Sequence, residues 1–196
     1  MNLKTNLLET IAGKNRGLIA TEVDRANILT LVDRLEDQNP TPKPLAASTL
    51  LEGDWRLIYT TSRGILGINR FPLVQLGQVY QCIRPEVQKI YNIAEIEGIP
   101  FLEGLILVEA SFTPVSDQRV NVFFNRYVIG AQRFMNYRFP KGLIEQILAG
   151  KKFFPIDVGI NSQNNNGWLD ITYLDEDLRI GRGNEGSVFV LSREKY

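Results

Sequence analysis

Asp54-Trp-Arg-Leu-Ile-Tyr-Thr-Thr61 sets Trp55, Leu57 and Tyr59 against Asp54, Arg56 and Thr60, an apolar and polar alternation with a period of two. That period puts successive side chains on opposite faces of a strand, so one face of this segment is expected to be buried. Runs of the same kind follow at 78–84, 87–97, 104–112 and 119–129, and again at 168–174, 178–182 and 187–193. Asp175-Glu-Asp177 and Gly183-Asn-Glu-Gly186 separate the last three as turns, with Gly183 and Gly186 expected at positive φ. A sheet of this size needs cover for its edges, and closing it on itself supplies that cover. The expected fold is mainly β with a small α part: an antiparallel barrel of about eight to nine strands. Its interior is either filled by side chains or holds one small ligand.

Outward from the strands the period changes. Leu3, Leu7, Leu8 and Ile11 form one helical stripe and Ile28, Leu31, Val32 and Leu35 a second, which predicts an N-terminal helical hairpin. Thr21-Glu-Val-Asp24 reads as a capping box, and Gly13 and Gly17 punctuate the connection. Asn39-Pro-Thr-Pro-Lys-Pro44 cannot continue a helix and favours an extended spacer. The chain therefore divides into residues 1–44, hairpin and Pro-rich spacer, and residues 45–196, the barrel domain. Within the barrel region, residues 141–150 carry Leu143, Ile144, Ile147 and Leu148 at helical spacing before Gly150, a short helix.

Composition excludes several chemistries. The 196 residues contain no histidine, which removes Ser-His-Asp triads, imidazole bases and histidine-ligated zinc. One cysteine, Cys82, forms neither an internal disulfide nor a Cys-x-x-Cys site. Asp175, Glu176 and Asp177 are consecutive and lack the spaced ligands of a calcium loop, so they read as a solvated turn. Gly181-Arg-Gly-Asn-Glu-Gly186 spells a dinucleotide fingerprint but runs into a strand where that motif needs a helix. No metal and no cofactor are expected, no carboxylate pair is marked out, and a non-enzymatic protein is the expectation. The apolar stretch 99–112 is interrupted by Glu103 and Glu109 and falls short of the ~20 residues of a membrane span. Glu9 and Glu22 near the start, with no apolar core followed by a cleavage site, lead to the expectation that a signal or transit peptide is either absent or already removed.

Lysine plus arginine and aspartate plus glutamate both number 22, so no net charge draws the chain to a polyanion. One block departs from neutrality: residues 119–152 sum to +6. Arg126, Arg133, Arg138 and Lys141 interleave there with Phe123, Phe124, Tyr127, Phe134, Tyr137 and Phe139. Single-strand-binding sheets use such mixtures, but those domains are basic overall, and no nucleic-acid partner is expected. The block equally suits anionic head groups, with Lys151, Lys152, Phe153 and Phe154 the most interfacial cluster and the candidate membrane contact. It also suits a plain strand pair with core aromatics and solvated arginines. Arg126 shares the even-numbered face of its strand with Val120, Val122, Phe124 and Val128. An arginine on an apolar face either pairs with an internal acid such as Glu109, the preferred reading, or anchors the carboxylate or phosphate of a ligand in the barrel. Arg126, Tyr59, Phe123, Phe124 and Tyr127 are accordingly the candidate ligand contacts.

Leu51-Glu-Gly-Asp-Trp-Arg-Leu-Ile-Tyr-Thr-Thr-Ser62 resembles the opening strand of the plastid lipid-associated protein family, the plastid fibrillins or plastoglobulins. Gly167 to Gly186, followed by Ser187-Val-Phe-Val-Leu191, resembles that family's closing motif. The resemblance covers residues 45–196 and matches the N-terminal helices loosely. It implies a lipocalin-like barrel associated with thylakoid membranes or lipid droplets, with a role in carrying or protecting carotenoids, quinones or acyl lipids, and links to photo-oxidative stress. Gly53-x-Trp55 is similar to the Gly-x-Trp of lipocalins, which implies a tryptophan closing the barrel bottom beneath an arginine: Arg193, or Arg179 as the alternative. The expected setting is a cyanobacterial cytoplasm, peripheral to thylakoids or droplets, or a plastid if a plant protein has been processed. Three functions stay open, in this order: a binding module for an apolar small molecule, a coat or scaffold on lipid surfaces with a plugged barrel, and a lipid-modifying enzyme.

Overall fold

The structure, a computed structural model, describes residues 2–67, 75–98, 103–160 and 166–195. Helices α1 (Leu3–Ile11) and α2 (Glu22–Glu36) form the hairpin, and a single turn, α3 (Ser48–Leu51), leads into the first strand. The capping box at the start of α2 is complete: the Asp24 N–H donates to Thr21 Oγ1 at 3.1 Å, and the Thr21 N–H donates to the Asp24 carboxylate at 2.9 Å. Between the helices Gly17 has φ +102°, and a Cβ there would lie 2.6 Å from the Thr60 carbonyl oxygen. Only glycine lets the connection approach so closely that the Thr60 N–H donates to the Arg16 carbonyl at 3.0 Å.

Nine strands follow: β1 (Gly53–Thr60), β2 (Gln75–Arg84), β3 (Lys89–Glu97), β4 (Gly104–Pro114), β5 (Arg119–Ala131), β6 (Ile156–Gly159), β7 (Asn166–Leu174), β8 (Leu178–Gly183) and β9 (Val188–Arg193). Helix α4 (Arg63–Leu66) follows β1, and α5 (Pro140–Leu148) follows β5. Neighbours pair in the order β4-β3-β2-β1-β9-β8-β7-β5, and β5 pairs back onto β4 from Ala131↔Gly104 to Val120↔Pro114. This closes an eight-stranded antiparallel barrel without a free edge along the ladder. Strand β5 is long enough to serve two further partners, β7 along Arg119–Phe123 and the ninth strand β6 along Arg126–Ile129. The expected mainly β fold is what forms. Helices α3 and α4 and strand β6, four residues each, are too short to leave a period in the sequence.

Three hydrophobic clusters organise the packing. Inside the barrel, Trp55, Leu57, Val79, Ile83, Phe112 and Leu191 belong to one. Outside, Leu7, Ile28 and Val32 of the hairpin cover Ile180 and Val190, and Leu143, Ile144 and Ile147 of α5 cover Tyr91, Leu105 and Val128. Both helical parts therefore bury the outer face of the sheet, each apolar side chain contributing about 1.5–3 kcal/mol. Arg182 of β8 reinforces the hairpin contact by donating to Glu36 and Asp33, both at 2.6 Å.

Three expectations about faces and turns are corrected. In β1 the register against β9 shifts between Leu57 and Tyr59, so Trp55 and Leu57 point inward while Tyr59 is buried under the hairpin. In β5 the register shifts at Asn125: Phe124 opposes Ala110, but Arg126 opposes Glu109. Each shift is a β-bulge, whose extra residue switches the side chains beyond it to the other face. Gly183 has φ −121°, not a positive value. A Cβ there would crowd the Phe189 ring at 3.1 Å.

Candidate functional site

The barrel encloses a cavity of about 540 Å³. Its walls are inward residues of many strands, among them Leu57, Val79, Ile90, Ala94, Val108 and Phe124, with Gln81 and Asn92 as polar members. One end of the cavity is bounded by Ser62, Gly64 and Ile65 after β1 and by Asn184 and Ser187 between β8 and β9. Antiparallel order brings the start of β4 and the end of β5 to this same end, where Gly104 pairs with Ala131.

The opposite end is sealed. Trp55 is wholly buried, and its indole N–H donates to the Leu51 carbonyl at 3.0 Å. The Arg193 guanidinium lies 4.2 Å from the ring centroid and donates to the carbonyls of Glu176, Glu52 and Leu50, tying α3, β1 and the β7–β8 turn together. Gly53, at φ +146°, leaves room for it: a Cβ there would stand 2.5 Å from Arg193 Nη1. Arg179 approaches the same indole at 5.2 Å. It is wholly buried, and its Nη2 donates to Gln81 Oε1 while Gln81 Nε2 donates to Asn92 Oδ1 at 2.9 Å. Among the described residues its Nε and Nη1 have no hydrogen-bond partner. Burial lowers its pKa to about 9.

Of the five sequence-based ligand contacts, Phe124 lines the cavity. Tyr59 does not, for the reason given by the β1 bulge, and Phe123, opposite Ser111, is on the outer face of β5, whereas Tyr127, opposite the lining residue Val108, is half-buried on the inward face without bounding the cavity itself. Arg126 is corrected as a cavity anchor. Past the β5 bulge its guanidinium donates to both oxygens of Asp157 on β6, at 2.7 and 2.6 Å, and to the Lys151 carbonyl at 2.8 Å. Its acid is thus Asp157, while Glu109 accepts from Lys89 at 2.6 Å. The guanidinium holds the Asp157 carboxyl below the usual carboxylate range.

The candidate membrane cluster also splits. Phe153 is buried against α5, with Arg126 5.9 Å and Lys151 5.4 Å from its ring, so it is no surface contact. Phe154 is 78 % exposed, and Lys151 and Lys152 are exposed beside it. Sequence reasoning passed over its neighbours: Phe134 is 70 % exposed, and Ile156 and Val158 on β6 are exposed as well. The segments that carry them meet at the end of β5: β6 pairs with Arg126–Ile129, and the Phe154 carbonyl and the Met135 side chain both lie beside Gly130. The aromatics of the basic block are dispersed: Phe124 is inside the barrel, Phe134 and Phe139 are exposed, and Tyr137 donates to Glu95 at 2.8 Å. No single face of the block carries them as a base-stacking platform.

Asp175 accepts from Lys4 at 2.8 Å, from Tyr173 at 2.7 Å and from the N–H groups of Asp177 and Leu178, which is the chemistry of a turn. Among the described residues no group of three or more Cys, Asp or Glu is placed to hold a metal ion. Burial pushes the Cys82 thiol well up, away from thiolate chemistry. Among the described residues no helix is long and apolar enough to cross a membrane.

Fold and site together define a closed antiparallel β-barrel, sealed at one end by an arginine-capped tryptophan and holding a largely apolar cavity. The PAP_fibrillin family model matches residues 1–192, and the chain belongs to that family. A light-induced chloroplastic protein of Solanum tuberosum is 35% identical over 219 residues, covering 98% of this chain and 67% of its own length. A chloroplastic plastid-lipid-associated protein of Citrus unshiu is 33% identical over 220 residues, covering 98% and 68%. A chromoplast-specific carotenoid-associated protein of Cucumis sativus is 34% identical over 218 residues, covering 98% and 67%. No solved structure matches this chain.

Proposed function

We propose that this protein is a non-enzymatic lipid-associated protein whose barrel binds or carries one apolar small molecule, a carotenoid, quinone or acyl lipid, at a lipid surface. The observation that carries this reading is the cavity of about 540 Å³, a size suited to a small-molecule site, walled mainly by aliphatic side chains. Two relatives are named for plastid lipid and for chromoplast carotenoid, which supports the same class of partner. The setting is a thylakoid membrane or lipid droplet, in a plastid or a cyanobacterium, with protection against photo-oxidative stress as the physiological role. Organic extraction of the protein purified from its native cells, followed by mass spectrometry, tests the proposal. One species near one per chain is expected, whereas membrane lipids in variable amounts would transfer the function to the surface.

A coat on lipid surfaces is the second reading, favoured by Phe134, Phe154, Ile156 and Val158 standing exposed at the end of β5 with Arg133 and Lys152 near them in sequence. Ala94→Phe, which places a ring in the cavity and narrows it, separates the two. A carrier loses its small molecule and still floats with vesicles, while a coat is unaffected.

A further inference from the structure

The two arginines at the closed end differ in what they bind. Arg193 donates from Nε, Nη1 and Nη2 to three backbone carbonyls. Among the described residues Arg179 has one hydrogen-bond partner, the neutral amide oxygen of Gln81, and its Nε and Nη1 have none. It points into the barrel, since Leu178 and Ile180 on either side belong to the cluster under the hairpin. Among the described residues no carboxylate bonds it, and the charged group that acts on it most unfavourably is Arg193. A buried guanidinium without a counter-charge and with unsatisfied donors is costly, and its depressed pKa of about 9 registers that cost. As a cation stacked over Trp55 it would duplicate Arg193, which is nearer the ring and bonded through all three of its guanidinium nitrogens.

Gln81 connects this group to the cavity, because its side chain lines the wall while accepting from Arg179. We infer that Arg179 is the head-group site of the barrel: the cavity takes an apolar chain bearing one carboxylate, which displaces the Gln81 amide oxygen and is held by the guanidinium. This rests on the reading that the cavity holds a small molecule. One planar cation matches one carboxylate, whereas a phosphate dianion would call for a second cation, and each guanidinium nitrogen of Arg193 already donates to a backbone carbonyl. Ile90, Ala94, Val108 and Phe124 provide the apolar wall for the chain.

Lauric acid and methyl laurate, competed at pH 8 against an uncharged fluorescent reporter on the delipidated full chain, test the assignment. The acid is expected to bind at least about tenfold tighter than the ester, the scale of a charge-assisted hydrogen-bonded pair. Arg179→Gln should bring the two to within about twofold. Gln81→Glu provides a test that keeps the arginine: it gives Arg179 an internal carboxylate, so the variant should fold, bind the ester and lose the preference for the acid. Equal affinity for acid and ester in the parent, or an undiminished preference in Gln81→Glu, overturns the head-group site and leaves the cavity reading intact. Failure of both compounds to displace the reporter, or of the reporter to bind, overturns the cavity reading and the head-group site with it.

Discussion

Trp55 is where one side chain carries most: it is wholly buried, bonded to Leu51 and covered by Arg193. Trp55→Ala should cost roughly 3–5 kcal/mol in denaturant melts, and a loss below about 1 kcal/mol would remove its role as the seal. Arg126 belongs to the same scale but acts on the outer face. Its bond to Asp157 lowers that carboxyl's pKa in the folded state, so the stabilisation is fully present above the unfolded value of about 3.9 and is lost as pH falls through the lower folded value. Arg126→Leu should therefore destabilise by about 2 kcal/mol at neutral pH, with the gap to the parent narrowing as melts are repeated below about pH 4. A gap that stays constant with pH would show that Arg126 acts through packing alone.

Elements were legible where they are long. The alternation of β1 to β5 and the helical stripes of α1 and α2 survive in the structure because a periodic pattern buries one face whatever the details of packing. Facing was not legible beyond a bulge. The pattern of β1 continued through Tyr59, and that of β5 through Arg126, as though no extra residue intervened. The only local trace in β5 is Asn125, a polar residue of low strand preference between Phe124 and Arg126. At this scale the hairpin's docking has its own test. Gly17→Ala brings a Cβ against the Thr60 carbonyl at a φ of +102°, so it should destabilise by about 1–3 kcal/mol. Hydrogen exchange should show the loss concentrated in the hairpin and the end of β1; uniform loss of protection across the barrel would contradict a local docking role.

For the whole molecule the question is how cavity and surface share the work. Phe134 and Phe154 stand exposed at the end of the barrel where β5 finishes, the end at which the residues between β8 and β9 bound the cavity. Replacing both with Ser should reduce flotation with anionic vesicles severalfold and leave the melting temperature within a few degrees, since neither side chain is buried. Unchanged flotation would move the contact elsewhere. Combined with Ala94→Phe, the experiment separates a carrier that loads at a surface from a surface coat.

Sequence alone determined the class of fold, the hairpin ahead of it and the chemistries that a chain without histidine and with one cysteine excludes. Those follow from composition and from periods of two and 3.6, which each segment carries by itself. Tertiary structure decided which arginine meets which partner. Arg126 looked inward and faces Asp157 because one extra residue in β5 turned it. Arg179 looked like an alternative lid and is a buried cation whose Nε and Nη1 find no partner among the described residues, because closure of the barrel removed it from water without bringing one of their carboxylates to it.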